Sequence, residues 1–273
     1  MHTRPIPSTG EPLPVIGCGT YRGFDVKADR GTSRRLQQVL DALFAAGGTV
    51  IDSSPMYGKA EAVTGDLLAQ SNTHAKAFIA TKVWTRGRDA GMAQMEDSFR
   101  LLQTERIDLM QIHNLVDWRT HLPTLRAWKD AGRIRYIGIT HYTSSAFADL
   151  EAVMRAEPFD FVQLNYSAVD RGAESRLLPL AAERGIAVIV NYPLASGAAV
   201  RGVSSHPLPA WAAEIDCTSW SQLLLKFVVS HPAITCAIPG TGNPDHMADN
   251  ARAGTGRMPD DAMRARIAAA CEL

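Results

Sequence analysis

The strongest constraint on the fold is an alternation between two hydrophobic periods that runs along the whole chain of 273 residues. Short apolar runs of strand character alternate with segments in which apolar residues recur every three or four positions. The first such segment carries Leu36, Val39, Leu40 and Leu43, and the glycine pair at 47–48 ends it. A regular alternation of this kind predicts β–α units and a parallel sheet.

The alternation can be counted through to the end of the chain. Strands are predicted at 15–19, 49–51, 77–84, 107–113, 134–140, 159–165, 186–191 and 233–239. Helices are predicted from 32 to the glycine pair and at 61–70, 92–102, 120–130, 145–155, 174–184, 220–228 and 245–253, with a terminal helix at 260–270. Eight strands alternating with eight helices favour an α/β fold of the (β/α)8 TIM-barrel type.

The same pattern predicts one domain over residues 1–273, because no linker or internal repeat divides it. The first twelve residues, with prolines at 5, 7 and 12, predict at most a short N-terminal hairpin or plug, and residues 24–31 a loop. Residues 195–213, rich in Gly, Ser and Pro, predict the one long connection. A doubly wound open sheet is the alternative architecture.

Composition excludes several classes of protein. Lys plus Arg and Asp plus Glu number 28 each, so there is no concentrated positive field for nucleic acid. No apolar run approaches the ~20 residues that span a bilayer, and no signal peptide begins the chain. The four cysteines lack Cys-x-x-Cys spacing, which is typical of reduced thiols in a cytoplasmic protein. The scattered histidines form no metal-binding pair.

Polar and ionisable side chains follow the predicted strands at their carboxyl ends, the edge where such barrels carry active sites. Asp52 ends the second strand, Lys82 lies near the end of the third, and His113 ends the fourth. The later strands carry polar residues in the same places: Thr140, His141, Gln163, Asn165, Asn191 and Thr241. We therefore expect these groups to meet at one rim.

The stretch from 49 to 58 places a carboxylate, Asp52, five residues before a phenol, Tyr57. Lys82 lies in an apolar strand, so its ammonium needs a counter-charge, and Asp52 on the neighbouring strand is the nearest carboxylate. A cationic Lys82 is expected to lower the pKa of Tyr57, and His113 to orient a carbonyl oxygen. The alternatives are a structural ion pair and an ordinary rim histidine.

These residues resemble the aldo-keto reductase superfamily over about 15–250. The matching motifs are Ile51-Asp-Ser-Ser-Pro-Met-Tyr-Gly58, Ala80-Thr-Lys-Val-Trp84 and Asp108-Leu-Met-Gln-Ile-His113. The resemblance implies a catalytic tetrad of Asp52, Tyr57, Lys82 and His113. It also implies a nicotinamide cofactor across the barrel mouth that passes hydride to a carbonyl, with Tyr57 as the proton donor.

The resemblance also implies the cofactor contacts. Thr20 and Tyr21 match the contact of the first strand, and Thr140, His141 and Gln163 would hold the nicotinamide carboxamide, beside Asp52. The pyrophosphate loop would comprise Asn191, Tyr192, Pro193, Leu194 and Ser196. The adenosine-phosphate segment would comprise Gly240, Thr241, Gly242, His246, Asp249 and Asn250. The substrate would contact Tyr21, Trp84 and His113 in a shallow pocket.

Three departures from the family pattern affect these expectations. Gly240 and His246 stand where many members have a lysine and an arginine that pair with the 2′-phosphate of NADPH, so NADH is the alternative to NADPH. The usual nicotinamide-stacking aromatic falls on Asn191, with Tyr192 one residue late, and a shift of one turns a strand side chain to the other face. The chain after Asn250 forms only a short helix.

The predicted function is therefore reduction of small aldehydes or ketones with NADPH by a cytoplasmic enzyme. One alternative is a sugar or alcohol dehydrogenase that uses NAD(P)+ in the oxidative direction. Another is a cofactor-binding sensor of low activity. The expected partner is a small carbonyl compound rather than nucleic acid, a membrane or a metal, and the expected assembly is a monomer or a weak homo-oligomer.

Overall fold

The computed structural model describes residues 1–27 and 29–271, so the predicted loop at 24–31 and the predicted domain limit at 273 lie partly outside the described residues. Its main sheet has eight parallel strands, each paired with the next along the chain. They are β3 (Cys18–Gly19), β4 (Val50–Asp52), β5 (Phe78–Val83), β6 (Ile107–Ile112), β7 (Ile134–Thr140), β8 (Phe161–Asn165), β9 (Ala187–Asn191) and β10 (Cys236–Ala237).

The sheet closes on itself through its first and last strands. Ile16 bridges Ala237 and Gly19 bridges Gly240, both in parallel register. The amide of Gly17 donates to the carbonyl of Ala237 at 2.9 Å, and the amide of Ala237 donates to the carbonyl of Val15 at 2.9 Å. An open doubly wound sheet would leave both edges unpaired, so the predicted (β/α)8 barrel is confirmed and the alternative is wrong.

Helices connect the strands and cover the outside of the barrel. The described helices are α1 (Arg30–Ala45), α2 (Ala60–Ser71), α3 (Arg88–Leu102), α4 (Trp118–Asp130), α5 (Phe147–Ala156), α6 (Leu177–Arg184), α7 (Ala198–Val203), α8 (Trp220–Val229), α9 (Pro244–Arg252) and α10 (Asp261–Ala270). The long connection predicted at 195–213 lies between β9 and α8, and it contains α7 and two 3₁₀ turns that the sequence pattern did not indicate. A helix of six residues is too short to show a hydrophobic period.

The N-terminal hairpin closes the bottom of the barrel. Strands β1 (Thr3–Pro5) and β2 (Pro12–Pro14) pair in antiparallel register. Ile6 and Leu13 are buried with the apolar residues of the barrel interior. The phenol of Tyr136 donates to Glu11 at 2.6 Å, and Arg135 pairs with both Glu11 and Asp108. The predicted plug is therefore anchored by apolar packing inside and by ion pairs at its edge.

Candidate active site

The barrel interior changes from apolar to polar between its floor and its mouth. Because successive strand residues face opposite sides, every second residue points inward. The lower inward positions, such as Val50, Ala80 and Leu109, belong to one buried apolar cluster. The next inward position is polar on five strands, with Asp52, Lys82, Gln111, Gln163 and Asn191, and on β7 Thr140 follows after Gly138. Strand register therefore brings these side chains together just below the mouth.

Asp52 and Lys82 form a fully buried ion pair. The ammonium of Lys82 lies 2.6 Å from Oδ2 of Asp52 and donates to the carbonyl of Ser53 at 2.7 Å. The other carboxylate oxygen, Oδ1, accepts from Gln111 at 3.1 Å and from Gln163 at 2.9 Å. Burial lowers the pKa of Lys82 while Asp52 opposes that shift. The pair is stabilised by hydrogen bonds on both carboxylate oxygens, as a buried charge requires.

Tyr57 lies against this pair at the end of a tight turn. Its amide donates to the carbonyl of Ser54 at 2.9 Å, and Gly58 follows with a left-handed φ of 59°. The Lys82 ammonium lies 5.0 Å from the centroid of the Tyr57 ring. The turn therefore brings the phenol ring over the buried cation.

The expected lowering of the Tyr57 pKa is wrong for this structure. Burial, and then the negative charge of Asp52, hold the pKa of Tyr57 well above its usual value. The prediction considered Lys82 alone, but burial of the phenol and the negative charge of Asp52 both raise the pKa and outweigh the ammonium. Tyr57 is therefore a protonated phenol at neutral pH.

His113 faces Tyr57 across the mouth. Its ring centroid lies 5.9 Å from that of Tyr57 in an edge-on arrangement and 6.4 Å from that of Trp84. Its Nδ1 lies 3.0 Å from the hydroxyl of Ser54. Burial and the nearby cation of Lys82 lower the pKa of His113 to about 3. The imidazole is therefore neutral, with one ring N–H available as a hydrogen-bond donor.

A cleft of about 760 Å³ extends from Tyr57 and His113 across the mouth to the start of α9. Aromatic side chains form part of the cleft wall, where Tyr21 is 40% exposed and Tyr142 is 48% exposed. Most of the residues predicted to bind cofactor line it: Tyr21, Asp52, Thr140, Gln163, Asn191, Tyr192, Pro193, Leu194, Ser196, Gly240, Thr241, Gly242, His246, Asp249 and Asn250. The volume suits a ligand of cofactor size.

Two side chains predicted to contact the cofactor lie elsewhere. Thr20 is fully buried, and its hydroxyl lies 3.0 Å from the Asp52 carbonyl and 3.0 Å from the Ser53 hydroxyl. These hydrogen bonds stabilise the turn below the cleft. The ring of His141 stacks on Tyr142, and its Nδ1 accepts from backbone amides in the following loop. Local hydrogen bonds hold both side chains outside the set that lines the cleft.

Tyr192 lines the cleft together with Asn191, although simple alternation along a strand would place the two side chains on opposite faces. Its backbone has a left-handed φ of 50°, which interrupts the alternation of the strand. Its ring centroid lies 6.2 Å from that of Tyr142, and both residues line the cleft with Asn191. The local backbone therefore brings the Tyr192 side chain to the cleft, although the residue follows the usual aromatic position by one. Tyr192 is the aromatic residue next to the end of β9.

The sequence interpretation missed two cationic residues that line the cleft, Arg22 and Arg201. The guanidinium of Arg22 lies 5.2 Å from the centroid of the Tyr21 ring. Arg201 begins the second half of α7 and contacts the carbonyl of Ser196 at 3.4 Å. Neither has a carboxylate partner among residues 1–27 and 29–271. Arg201 is the one Lys or Arg between 195 and 213, a signal that could have been used.

Comparisons with known proteins agree with this barrel and its mouth. The model of the aldo/keto reductase family matches residues 15–270. Methylglyoxal reductase YeaE of Escherichia coli is 29% identical over 249 residues, covering 88% of this chain and 84% of that protein. An aldo/keto reductase from Klebsiella pneumoniae, crystallised with NADP and acetate, superposes with a TM-score of 0.80 at 25% identity, covering 94% of this chain and 91% of the other.

A third relative shows the fold alone. The holo form of aldo-keto reductase AKR11C1 from Bacillus halodurans superposes with a TM-score of 0.80 at 21% identity, over 99% of this chain and 96% of that one.

The chain belongs to the aldo/keto reductase family, which confirms the resemblance seen in its sequence. It is accordingly an oxidoreductase. Within residues 1–27 and 29–271, no helix is long and apolar enough to cross a membrane.

Proposed function

We propose that the protein reduces small aldehydes or ketones to alcohols with NADPH, using the tetrad of Asp52, Tyr57, Lys82 and His113. The observation that carries the proposal is the arrangement of a protonated phenol, a buried ammonium and a neutral imidazole at the deep end of one cleft. A carbonyl that accepts hydride needs a proton donor and a hydrogen-bond donor at its oxygen. Tyr57 and His113 supply these two groups.

The residues of the cleft fit a nicotinamide dinucleotide. At the deep end Asn191 has a buried side-chain oxygen with no hydrogen-bond partner in the described part of the chain, and Thr140 and Gln163 lie beside it. Such groups suit a carboxamide. At the far end the cleft reaches the amino terminus of α9, which favours a phosphate. The Klebsiella relative was crystallised with NADP, which supports NADPH for this chain.

When bound, the reduced nicotinamide would supply the hydride. His113, as a neutral donor, would orient the carbonyl oxygen toward Tyr57. Tyr57 would give its proton to that oxygen as negative charge develops there. Lys82 would stabilise the tyrosinate that remains, because the ammonium already lies close to the ring. Asp52 would hold Lys82 in the charged form and in place.

The raised pKa of Tyr57 keeps its phenol in the protonated state that carbonyl reduction needs. A phenol that stays protonated at neutral pH is ready to donate a proton, whereas alcohol oxidation requires a tyrosinate as base. Tyr21 lines the cleft and the exposed Trp84 lies 6.4 Å from the His113 ring, and these aromatic groups suit a small uncharged carbonyl compound. The name of the Escherichia coli relative indicates methylglyoxal as a first substrate to test.

The function can be tested by adding the purified protein to NADPH and a panel of carbonyl compounds, and following loss of absorbance by the reduced nicotinamide. We expect turnover with methylglyoxal or with a simple aromatic aldehyde, and slower reaction in the reverse direction from the matching alcohol and NADP+. Absence of NADPH binding in a fluorescence titration would contradict the proposal. Faster alcohol oxidation than carbonyl reduction at neutral pH would contradict the direction.

The cofactor phosphates need positively charged partners. Many family members have a lysine and an arginine for this purpose where this chain has Gly240 and His246. We propose that Arg201, helped by Arg22, provides the positive charge, because both guanidinium groups line the cleft without a carboxylate partner. Arg201→Ala is expected to weaken NADPH binding roughly tenfold, the effect of losing one charge-assisted hydrogen bond. Fluorescence titration of the variant with NADPH measures this change.

A matched control is Arg100→Ala, which removes an exposed arginine on the outer face of α3 and should leave the dissociation constant unchanged. Parallel titrations with NADH separate the two kinds of phosphate. An equal loss for both cofactors assigns Arg201 to the pyrophosphate, and a loss for NADPH alone assigns it to the 2′-phosphate. Unchanged binding of both cofactors would rule out a role for Arg201.

A further inference from the structure

Ser54 lies in the turn that carries Tyr57, and its side chain is fully buried. Its hydroxyl makes two polar contacts among the described residues. The backbone amide of Met56 donates to the hydroxyl oxygen at 3.2 Å. Nδ1 of His113 lies 3.0 Å from the same oxygen. The hydroxyl thus links the backbone of the turn to the imidazole on the other side of the mouth.

The directions of these two hydrogen bonds follow from the donors available. A backbone amide can only donate, so the Ser54 oxygen accepts from Met56. The hydroxyl proton then needs an acceptor, because a buried donor without a partner is unfavourable. In the part of the chain that the structure describes, the acceptor within reach is Nδ1 of His113. If Nδ1 carried the ring proton instead, the serine proton would have no partner.

We propose that Ser54 is a positioning residue that fixes His113 in the neutral tautomer with its proton on Nε2. This inference rests on the proposed function, in which His113 donates a hydrogen bond to the carbonyl oxygen. Nε2 lies on the side of the ring away from Nδ1 and hence away from Ser54, and the ring lines the cleft. The chain of bonds from Met56 through Ser54 to His113 therefore leaves one N–H directed to the substrate side.

The same residue also places Tyr57, since the carbonyl of Ser54 accepts from the amide of Tyr57 at 2.9 Å. One residue therefore sets the position of the proton donor through its backbone and the tautomer of the orienting group through its side chain. Ser54→Ala removes the hydroxyl and keeps the backbone bond. The substitution isolates the effect on the tautomer and leaves no larger side chain to accommodate.

The test is nitrogen NMR of the full-length protein labelled with ¹⁵N-histidine, with the His113 signals among eight histidines identified from a His113→Gln sample. The wild type should show a bare Nδ1 and a protonated Nε2 at neutral pH. In Ser54→Ala both nitrogens should move to intermediate shifts, because two tautomers exchange. Turnover should fall in proportion to the remaining productive tautomer, roughly two- to tenfold, with little change in KM.

Ser53→Ala is the matched control for the spectra. Ser53 is the adjacent buried serine, and its hydroxyl contacts Thr20 rather than His113. That variant should leave the His113 nitrogen signals at their wild-type positions. A Ser54→Thr variant, which keeps a hydroxyl, should restore the wild-type pattern and turnover.

Two results would overturn the inference: a wild-type spectrum with the proton on Nδ1, or an unchanged tautomer in Ser54→Ala, whether or not turnover falls in that variant. These outcomes are independent of whether the proposed reaction is correct. The spectra need no substrate, and failure of the proposed function would instead be seen as an inactive wild type or as an active Tyr57→Phe.

Discussion

Tyr57→Phe is expected to lower the rate of carbonyl reduction by about 10²- to 10⁴-fold, the usual contribution of a positioned acid. The substitution removes one oxygen atom and keeps the ring that contacts Tyr21, Lys82 and His113. The cleft therefore keeps its shape, and NADPH should bind with nearly the same dissociation constant. Steady-state turnover and a fluorescence titration on the same preparation measure the two quantities.

Tyr136→Phe is the matched control because it removes the same atom at the opposite end of the barrel. The Tyr136 phenol contacts Glu11 and Thr9 beside the N-terminal hairpin, far from the mouth. We expect that variant to keep wild-type turnover. Substantial carbonyl reduction by Tyr57→Phe would show that the proton comes from another group and would remove the acid role proposed for Tyr57.

Lys82→Met is expected to lower both activity and stability. Without the ammonium, the tyrosinate left by proton transfer has no counter-charge, and turnover should fall by at least about a hundredfold. The Asp52 carboxylate would also be left buried and unpaired, at a cost of about 3–5 kcal/mol in the free energy of unfolding. Turnover and denaturant unfolding measure the two effects.

The double variant Asp52→Asn with Lys82→Met separates these effects. It replaces the ion pair by two neutral side chains, so most of the lost free energy of unfolding should return. Gln111 and Gln163 can still donate to the side-chain oxygen at position 52. Activity should stay low in the double variant. If activity recovered together with stability, Lys82 would be a structural residue, the alternative that the sequence left open.

The sequence could predict the fold and the meeting of Asp52, Lys82 and His113, because both follow from regular alternation. Inward-facing strand positions recur every second residue, and parallel strands end at one rim. With those two rules the burial of Lys82 and its pairing with Asp52 followed from the apolar residues around it. Neither rule predicts the structure of the irregular segments between the strands and helices.

The features that the sequence did not predict come from interactions that periodicity does not encode. The left-handed backbone at Tyr192 places its ring on the side of the cleft, where simple alternation of strand side chains would not place it. The stacking of His141 on Tyr142 depends on the local loop. The pKa of Tyr57 is raised first by burial and then by the charge of Asp52, and both effects depend on distances that the sequence does not contain. Helix α7, with Arg201, lies in the segment that the sequence indicated only as a long connection.

The hairpin floor has a consequence for how the site exchanges its contents. Ile6 and Leu13 pack with the apolar residues that fill the lower barrel, so in the part of the chain that the structure describes the interior below Asp52 and Lys82 is a packed core and not a pore. Cofactor, substrate and exchanging protons would therefore enter and leave on the side of the mouth, where the cleft lies.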